Sequence, residues 1–311
     1  ADMVRKHFGV NTQTAKEVED VKAEAPKKEE KTAIVQKKEH EVVEDKLFTL
    51  LKERYTEKEL LLLSKGEGLQ DKNITFPKIH LHGKHHRIGV ISDTHFGSKY
   101  TPEEWVLEAF KTLKKENCEC IIHCGDVTDG LCGGRAKTHI YELSHIGYEA
   151  QKEYSINMLS KCELPLYVLS GNHDQWYKDV GADIVKDICD KVPNATYIGN
   201  NQADIDIDGV IVRAFHGLDG NSYAVSYRLQ KLVEGFSGGK KPNICLCGHT
   251  HKMCYMFERN VQMVSVPSLQ AQTPWMMGKK ISAHTGFIIM DFDVFEGNVC
   301  NFSVKLFPFY E

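Results

Sequence analysis

The sequence lacks any apolar run of the ~18 residues that a membrane-spanning helix needs, and no signal peptide is visible. It also lacks a basic excess, because 39 Lys and Arg residues against 43 Asp and Glu residues give a net charge of -4. The chain as a whole therefore has no electrostatic signature of nucleic-acid binding, although local basic patches could still exist. We expect a protein without a membrane partner.

The ten cysteines lack the spacing of a zinc ribbon or of a secreted disulfide framework. Five of them lie in apolar, strand-like runs, which is typical of small core residues: Cys118, Cys120, Cys124, Cys245 and Cys247. Because free buried thiols suit a reducing compartment, we expect a cytoplasmic protein.

The N-terminal part of the chain differs in composition from the rest. Residues 1–46 are rich in Lys and Glu and poor in aromatics, which predicts a flexible charged segment or linker. Residues 47–80 have a helical pattern in which Thr56 and Glu59 make a capping box. This pattern predicts a small helical appendage, either a helix-turn-helix remnant or a simple packing element. Since the chain begins at Ala1 with what reads as the tail of a helix, we also expect a fragment or a processed product.

Residues 81–311 are predicted to form a catalytic domain in which short apolar runs alternate with amphipathic helices at 102–116 and 148–162. Five runs are rich in Val, Ile, Leu and Cys, which predicts strands buried on both faces: RIGVIS, CECIIHC, LPLYVLS, VIVRAFH and NICLC. Four later runs, after residue 251, predict a meander of adjacent strands. The expected fold class is α/β, a four-layer α-β-β-α sandwich of two mixed sheets.

A histidine-rich segment precedes the first of these strands. Residues 78–87, KIHLHGKHHR, contain four histidines and three other basic residues, so a second metal site is one interpretation. The alternation of Ile79 and Leu81 with polar residues instead favours an edge strand.

Each of the five buried runs ends in side chains that can bind a metal. The residues are, in chain order, Asp93 and His95; Asp126 and Asp129; Asn172, His173 and Asp174; His216; His249 and His251. Ligands in open α/β sheets gather beyond the carboxyl ends of the strands, and side chains two residues apart in an extended stretch point the same way. Any one fragment alone would more often be structural, but five in order predict a single metal centre.

The series D-x-H, G-D-x-x-D, G-N-H-D, H and G-H-x-H resembles the calcineurin-like metallophosphoesterase superfamily, which includes double-strand-break repair nucleases, phosphodiesterases and purple-acid-type phosphatases. The resemblance covers about residues 87–309, and no G-x-S-x-G, P-loop or Rossmann fingerprint competes with it. It implies seven ligands for two metals: Asp93, His95 and His251 for one ion, Asn172, His216 and His249 for the other, and Asp126 bridging both. Imidazole and carboxylate ligands favour Mn, the first choice, or Fe, Zn or Ni over Mg or Ca.

The resemblance also implies a reaction, in which a hydroxide held by both metals attacks phosphorus. His173 would protonate the leaving oxygen or stabilise the transition state, and Asp174 would orient it. Asp129 would hydrogen-bond a ligand and so fix its tautomer.

The second motif departs from the pattern of the protein Ser/Thr phosphatases, which follow G-D-x-x-D with Arg-Gly and use that arginine to grip the phosphate. Here Gly130 and Leu131 follow instead, which disfavours a protein phosphatase. Arg135, Lys137 or His139 from the next loop could replace the arginine.

Further candidates for substrate binding lie close to the motifs. The loop that carries Arg135 and His139 is either a substrate cap or a solvated loop. Trp176 and Tyr177 could stack on a base or pack the rim of the site. Asn221, Tyr223 and Arg228 are expected on a helix that faces the same crevice on one side.

These features favour a phosphodiesterase, with nuclease activity on DNA or RNA or activity on a nucleotide. A phosphomonoesterase for a small molecule or a protein is the alternative enzyme. A catalytically inactive scaffold is disfavoured because no ligand position is degraded.

Overall fold

The computed structural model describes residues 78–79, 81, 83–133, 138–218, 220, 224–237 and 241–310. The predictions for residues 1–46 and for most of 47–80 lie outside the described residues, so the division into domains stays a prediction. Within the described ranges, no helix is both long enough and apolar enough to cross a membrane.

The described chain alternates strands and helices as far as residue 247 and then consists mainly of strands. The strands are β1 (Lys78–Ile79), β2 (His85–Ile91), β3 (Cys120–His123), β4 (Leu166–Ser170), β5 (Ala195–Asn200), β6 (Gln202–Ile207), β7 (Val210–Phe215), β8 (Ile244–Cys247), β9 (Cys254–Glu258), β10 (Val261–Ser265), β11 (Gly286–Phe295) and β12 (Asn298–Pro308). The α-helices are α1 (Glu103–Lys115), α2 (Tyr148–Leu159), α3 (Asn172–Gln175), α4 (Ile184–Cys189), α5 (Val225–Glu234) and α6 (Pro274–Gly278). Short 3-10 helices span Ile140–Glu142 and Trp176–Val180.

The strands form two mixed, six-stranded sheets. The first sheet has the order β12-β11-β2-β3-β4-β5, in which β2 to β5 run parallel and β11 and β12 run antiparallel to their neighbours. The second has the order β1-β6-β7-β8-β10-β9, in which β7, β8 and β10 run parallel. The strands that precede the five motifs are therefore neighbours within their sheets.

The two sheets pack face to face through fully buried aliphatic side chains. Val90 and Ile122 contribute from the first sheet, and Val212 and Leu246 contribute from the second. Along β8, Leu246 points toward this layer, whereas Cys245 points toward α5 on the outer face. Because alternate side chains enter two different apolar layers, the whole run is apolar, as the sequence pattern required.

Helices cover the outer faces of both sheets. Apolar residues of α1, α2 and α4 pack on the first sheet, and Leu229 and Val233 of α5 pack on the second. The predicted four-layer α-β-β-α sandwich is confirmed. The five cysteines expected in the core are free and buried, which confirms that prediction as well.

The predicted meander of four strands after residue 251 is wrong. β9 and β10 form an antiparallel hairpin at one edge of the second sheet, whereas β11 and β12 form a hairpin in the first sheet. The connection between the hairpins, residues 266–285, contains α6 and is long enough to pass from one sheet to the other. Strand patterns and turn signals specify the partner within a hairpin but not the sheet that a hairpin joins.

The histidine-rich segment is divided between the two sheets. Lys78–Ile79 forms an edge strand that pairs with β6, as the edge-strand interpretation expected. His86 is fully buried in β2, with Nδ1 3.3 Å from Glu119 Oε1 and Nε2 3.4 Å from Asp208 Oδ2. The two carboxylates lie on opposite sides of the ring, so they cannot share one ion with it.

Replacing Leu246 by Ala tests the layer between the sheets. Leu246 is fully buried, so the substitution should lower the free energy of unfolding by about 2–5 kcal/mol through lost burial and a residual cavity. Leu306→Ala, on the exposed side of edge strand β12, should change it by about 0.5 kcal/mol or less. Urea denaturation measures both, and equal effects would contradict this assignment of the core.

Candidate metal centre

The five motifs lie at the carboxyl ends of five strands. Those of β2, β3 and β4 come from neighbouring parallel strands of the first sheet. Those of β7 and β8 come from neighbouring parallel strands of the second sheet. Because the sheets are packed face to face, loops from both can supply ligands to one centre, the position expected for an α/β site.

Five of the predicted ligands have a backbone conformation that residues other than glycine rarely adopt. Their φ angles are positive: 52° at Asp93, 42° at His95, 51° at Asp126, 78° at His249 and 53° at His251. Each such residue costs about 1–3 kcal/mol and persists only where the surrounding structure holds it. Residues of this kind concentrate at functional sites, and five of the twelve non-glycine residues with positive φ in the described part of the chain lie in these loops.

Two buried carboxylates form the middle of the site. His251 Nε2 lies 3.2 Å from Asp93 Oδ1, and His216 Nε2 lies 3.1 Å from Asp126 Oδ2. His95 Nε2 lies between the carboxylates, 3.8 Å from Asp93 Oδ1 and 3.7 Å from Asp126 Oδ2. The two halves of the site are therefore continuous.

The remaining motif residues surround the second carboxylate. Asn172 Oδ1 lies 3.1 Å from His216 Nε2, and His249 offers a ring nitrogen within 4.8 Å of ligand atoms of Asp126 and His216. His173 Nε2 lies 4.0 Å from Asp126 Oδ2. The structure thus brings all seven predicted ligands and His173 together. Their division between two ions stays a prediction.

Three of the histidines share one orientation. Nδ1 of His95 lies 3.1 Å from Asp129 Oδ1, and Nδ1 of His173 lies 2.8 Å from the carbonyl oxygen of Asp129. Nδ1 of His216 lies 2.7 Å from the carbonyl oxygen of Cys124. An oxygen acceptor draws the ring proton to Nδ1, so Nε2 faces the carboxylates, which is how proteins orient metal-binding histidines. Asp129 makes the contact with His95 that was expected of it.

The electrostatics of the centre follow from burial and from mutual contact. Burial lowers the pKa of His95 and His216. The hydrogen bond to Asp129 at His95 and the charge of Asp126 at His216, together with the other carboxylates nearby, outweigh burial and raise each pKa to about 9. Burial would raise the pKa of Asp126, but His216 and His173 hold it well below its usual range. The pKa of Asp93 is likewise held below its usual range, against burial, by His251. Ionised carboxylates ringed by imidazole nitrogens form a donor set that suits a divalent transition metal.

Asp174 does not contact the ring of His173, contrary to the prediction that it orients this histidine. Its carboxylate accepts four hydrogen bonds from the loops that it joins, from the N–H groups of Gly171 (2.8 Å), Val127 (3.0 Å) and Thr128 (2.8 Å) and from the Thr128 hydroxyl (2.8 Å). Burial raises its pKa to about 6, with a further contribution from Asp126. Because these donors occupy both carboxylate oxygens, Asp174 ties two ligand loops together, and the carbonyl oxygen of Asp129 orients His173.

The two aromatic residues after G-N-H-D have different environments. Trp176 is half-buried, and its ring centroid lies 4.0 Å from that of His173. Tyr177 is fully buried in the core beneath the first sheet's helices, so it cannot stack on a substrate. Whether Tyr177 is buried depends on where the chain turns after α3, and the Trp-Tyr pair in the sequence does not indicate that turn.

The remaining substrate-binding candidates are only partly described. His139 is exposed and stacks on Tyr141, with ring centroids 5.2 Å apart. Arg135 and Tyr223 lie outside the described residues, so their roles stay predictions.

Two buried residues outside the five motifs support the site, and one of them, Arg228, was expected on a helix facing the crevice. Arg228 of α5 donates hydrogen bonds to the carbonyl oxygens of Gly248 (2.8 Å) and His216, and so holds two ligand loops in register. His123, at the end of β3, lies with Nε2 3.0 Å from the Thr94 hydroxyl, and burial lowers its pKa to about 3. The signal in the sequence for Arg228 is a single arginine beside Leu229 on the apolar face of a helix, which alone does not identify a partner.

Comparison with known proteins gives one curated relative and several similar structures. The DNA polymerase II small subunit of Archaeoglobus fulgidus is 28% identical over 272 residues, covering 71% of this chain and 54% of the relative. The chain therefore spans about half the length of the curated relative it matches. Among solved structures, an archaeal phosphodiesterase has 17% identity and a TM-score of 0.41 over 71% of this chain and 99% of its own. The vacuolar protein sorting 29 protein of Cryptosporidium parvum has 15% identity and a TM-score of 0.39 over 73% of this chain and 100% of its own.

A family profile gives the assignment that these likenesses do not. The calcineurin-like phosphoesterase superfamily domain matches residues 87–276, which is more than half of the chain and contains all five motifs. The match agrees with the observed sandwich and with the ligand groups at the ends of its strands. The chain belongs to the calcineurin-like phosphoesterase superfamily, a superfamily of hydrolases that act on phosphoester bonds.

Proposed function

We propose that this chain is a two-metal phosphodiesterase that hydrolyses the phosphodiester bonds of a nucleic acid or a nucleotide. The observation that carries the proposal is the convergence of imidazole Nε2 atoms from His95, His173 and His216 on the buried carboxylates of Asp93 and Asp126. With every Nδ1 of the three held by an oxygen, the rings are already oriented for catalysis or for metal binding.

Two divalent ions fit this donor set, with Mn as our first choice and Fe, Zn or Ni as alternatives. Seven residues would hold them: Asp93, His95 and His251 on one side, Asn172, His216 and His249 on the other, and Asp126 between. When bound, the ions would supply a nucleophile from water at neutral pH and positive charge for the oxygens of the phosphoryl group.

His173 is proposed as the catalytic side chain of the protein itself. Its side chain is 23% exposed, so a substrate at the centre can reach Nε2. The carbonyl oxygen of Asp129 and the adjacent Trp176 ring fix its orientation. From this position Nε2 would stabilise the leaving oxygen or transfer a proton to it.

A diester substrate is favoured by the packing at Gly130, the position that holds the phosphate-gripping arginine in the protein phosphatases. A Cβ atom there would lie 2.5 Å from the carbonyl oxygen of His173 and 2.8 Å from Cε3 of Trp176, and φ is +82°. An arginine could not occupy this position without displacing α3. Position 130 itself therefore lacks the cation that grips the phosphate in the protein phosphatases.

We propose a nucleic acid as the substrate because the curated relative is named a DNA polymerase II small subunit. We also propose the cytoplasm as its compartment, because the buried cysteines are free thiols.

A substrate panel tests the proposed reaction. With Mn present, the chain should hydrolyse bis-p-nitrophenyl phosphate at least about tenfold faster than p-nitrophenyl phosphate, because nothing at Gly130 binds a dianion. Single-stranded and double-stranded DNA and RNA, assayed alongside, would then identify the natural class of diester. Turnover of the monoester alone would overturn the proposal.

His173→Ala should lower kcat by about 10²–10⁴-fold, the usual effect of removing a positioned acid–base group. Bound metal, measured by elemental analysis, should stay unchanged. His85→Ala, at a histidine whose side chain is 62% exposed on β2, is the matched control and should alter neither quantity. Loss of metal from the His173 variant would mean that this residue is a ligand rather than the catalytic group.

Asp126→Ala should remove both ions together, since the carboxylate is shared by the two halves of the site. Elemental analysis after dialysis measures the metal bound per chain. Asp187→Ala, which removes an exposed carboxylate on α4, should retain the unsubstituted content. One ion kept at full occupancy in the Asp126 variant would contradict a bridging role.

A further inference from the structure

Two exposed aromatic side chains lie on segments that are hydrogen-bonded to the loops of the candidate metal centre. Tyr141 is 61% exposed and Trp275 is 45% exposed, although aromatic side chains of this size usually bury most of their surface. We infer that these residues, the aromatic rim, stack on the bases of a single-stranded nucleic acid whose backbone leads to the metals. The class of substrate rests on the proposed function.

Tyr141 is connected to the first ligand loop. The N–H of Lys99, four residues after His95, donates to the carbonyl oxygen of Glu142 at 2.8 Å. The buried carboxylate of Glu142 in turn accepts a hydrogen bond of 3.0 Å from the N–H of Trp275. One residue therefore joins both members of the aromatic rim, so their relative position does not depend on their own packing.

Trp275 is also connected to the centre through its own loop. Before α6, the Ser268 hydroxyl donates to the carbonyl oxygen of Asp93 at 3.0 Å. After α6, the N–H of His284 donates to the carbonyl oxygen of His251 at 2.6 Å. Both ends of the loop that presents Trp275 are thus hydrogen-bonded to Asp93 and His251, two proposed ligands of one metal, and on this we place the rim at the edge of the centre.

The aromatic rim has a flat, exposed surface of the kind that stacks on bases. The rings of His139 and Tyr141 are parallel within 7°, with centroids 5.2 Å apart. Stacking of this kind tolerates any sequence, because every base presents a π-face. A ring fixed against a second ring loses little conformational freedom when a base is added.

The charge around the aromatic rim suits a polyanion. Residues 95–101, 138–144 and 271–284 contain one carboxylate, Glu142, which is buried and hydrogen-bonded. The same segments present three exposed lysines: Lys99, Lys279 and Lys280. A net positive surface of this kind attracts the phosphate backbone of a nucleic acid. Binding of a protein partner would not by itself require a positive surface.

The test measures binding of fluorescein-labelled oligo-dT to the full chain in the His173→Ala background, so that the strand is not cleaved. Tyr141→Ala and Trp275→Ala should each raise Kd by about 5- to 150-fold, the range for loss of one base–aromatic stack. Trp275→Phe should restore most of the affinity. The matched control is Phe257→Ala, since Phe257 is 57% exposed on β9, six residues beyond His251 and away from the rim.

An oligonucleotide with abasic sites opposite the rim separates stacking from charge. The unsubstituted rim should bind it as weakly as the Ala variants bind oligo-dT, and the Ala variants should bind both strands alike. The inference would be overturned if the Ala variants lost the same affinity for the abasic strand as for oligo-dT, or if their Kd for oligo-dT were unchanged. An unchanged Kd would also fit a rim that binds a protein.

Hydrolysis of bis-p-nitrophenyl phosphate, measured with His173 intact, distinguishes this inference from the proposed function. The small diester has no neighbouring nucleotides that could lie along the rim, so Tyr141→Ala and Trp275→Ala should leave its kcat/KM within about twofold, a change far below that of losing one stack. Unchanged DNA binding with active diester hydrolysis would reject the rim alone. Absence of diester hydrolysis by the unsubstituted chain would reject the proposed function, while the binding measurements would still judge the rim.

Discussion

The carboxylate of Asp126 is the group on which the rest of the site depends. It is almost fully buried, and its Oδ1 accepts a hydrogen bond of 2.8 Å from the N–H of His173. Its Oδ2 lies 3.1 Å from His216, which comes from the other sheet. A buried charge of this kind is costly unless partners surround it, so the loops of both sheets must converge here. Gly171 is required at this point, because a Cβ atom there would overlap Asp126 Oδ1.

The packed sandwich stabilises this convergence of loops. Strands buried on both faces bring their carboxyl ends to one edge, and the apolar layers stabilise loops that hold strained, positive-φ residues such as Asp93 and His249, two of the proposed ligands. Buried polar residues then lock those loops to each other. Asp174 joins the loops after β3 and β4, and Arg228 joins those after β7 and β8. The precision of the centre therefore comes from residues that contact neither metal nor substrate in the proposed reaction.

Much of this could be predicted from the sequence, because the informative signals are local. Apolar runs followed at once by Asp, His or Asn predicted the strands, the layers and the residues that the fold brings together at one edge, because strand spacing and side-chain alternation act within a few residues. That these residues bind metals stays a prediction. The long connection before β11 passes from one sheet to the other, and no local pattern indicates this, so the predicted meander was wrong. The partners of Asp174 and the burial of Tyr177 depend on contacts between distant segments. Trp275 follows no motif, and its inferred role depends on the hydrogen bonds that join residues 266–285 to the carbonyl oxygens of Asp93 and His251.

The central claim, a pair of metals held on either side of Asp126, is tested most directly by anomalous diffraction from crystals of the chain grown with Mn. Two anomalous peaks about 3.5–4 Å apart are expected, one beside Asp93, His95 and His251 and the other beside Asn172, His216 and His249. A single peak, or a pair that does not share the Asp126 carboxylate, would contradict the account.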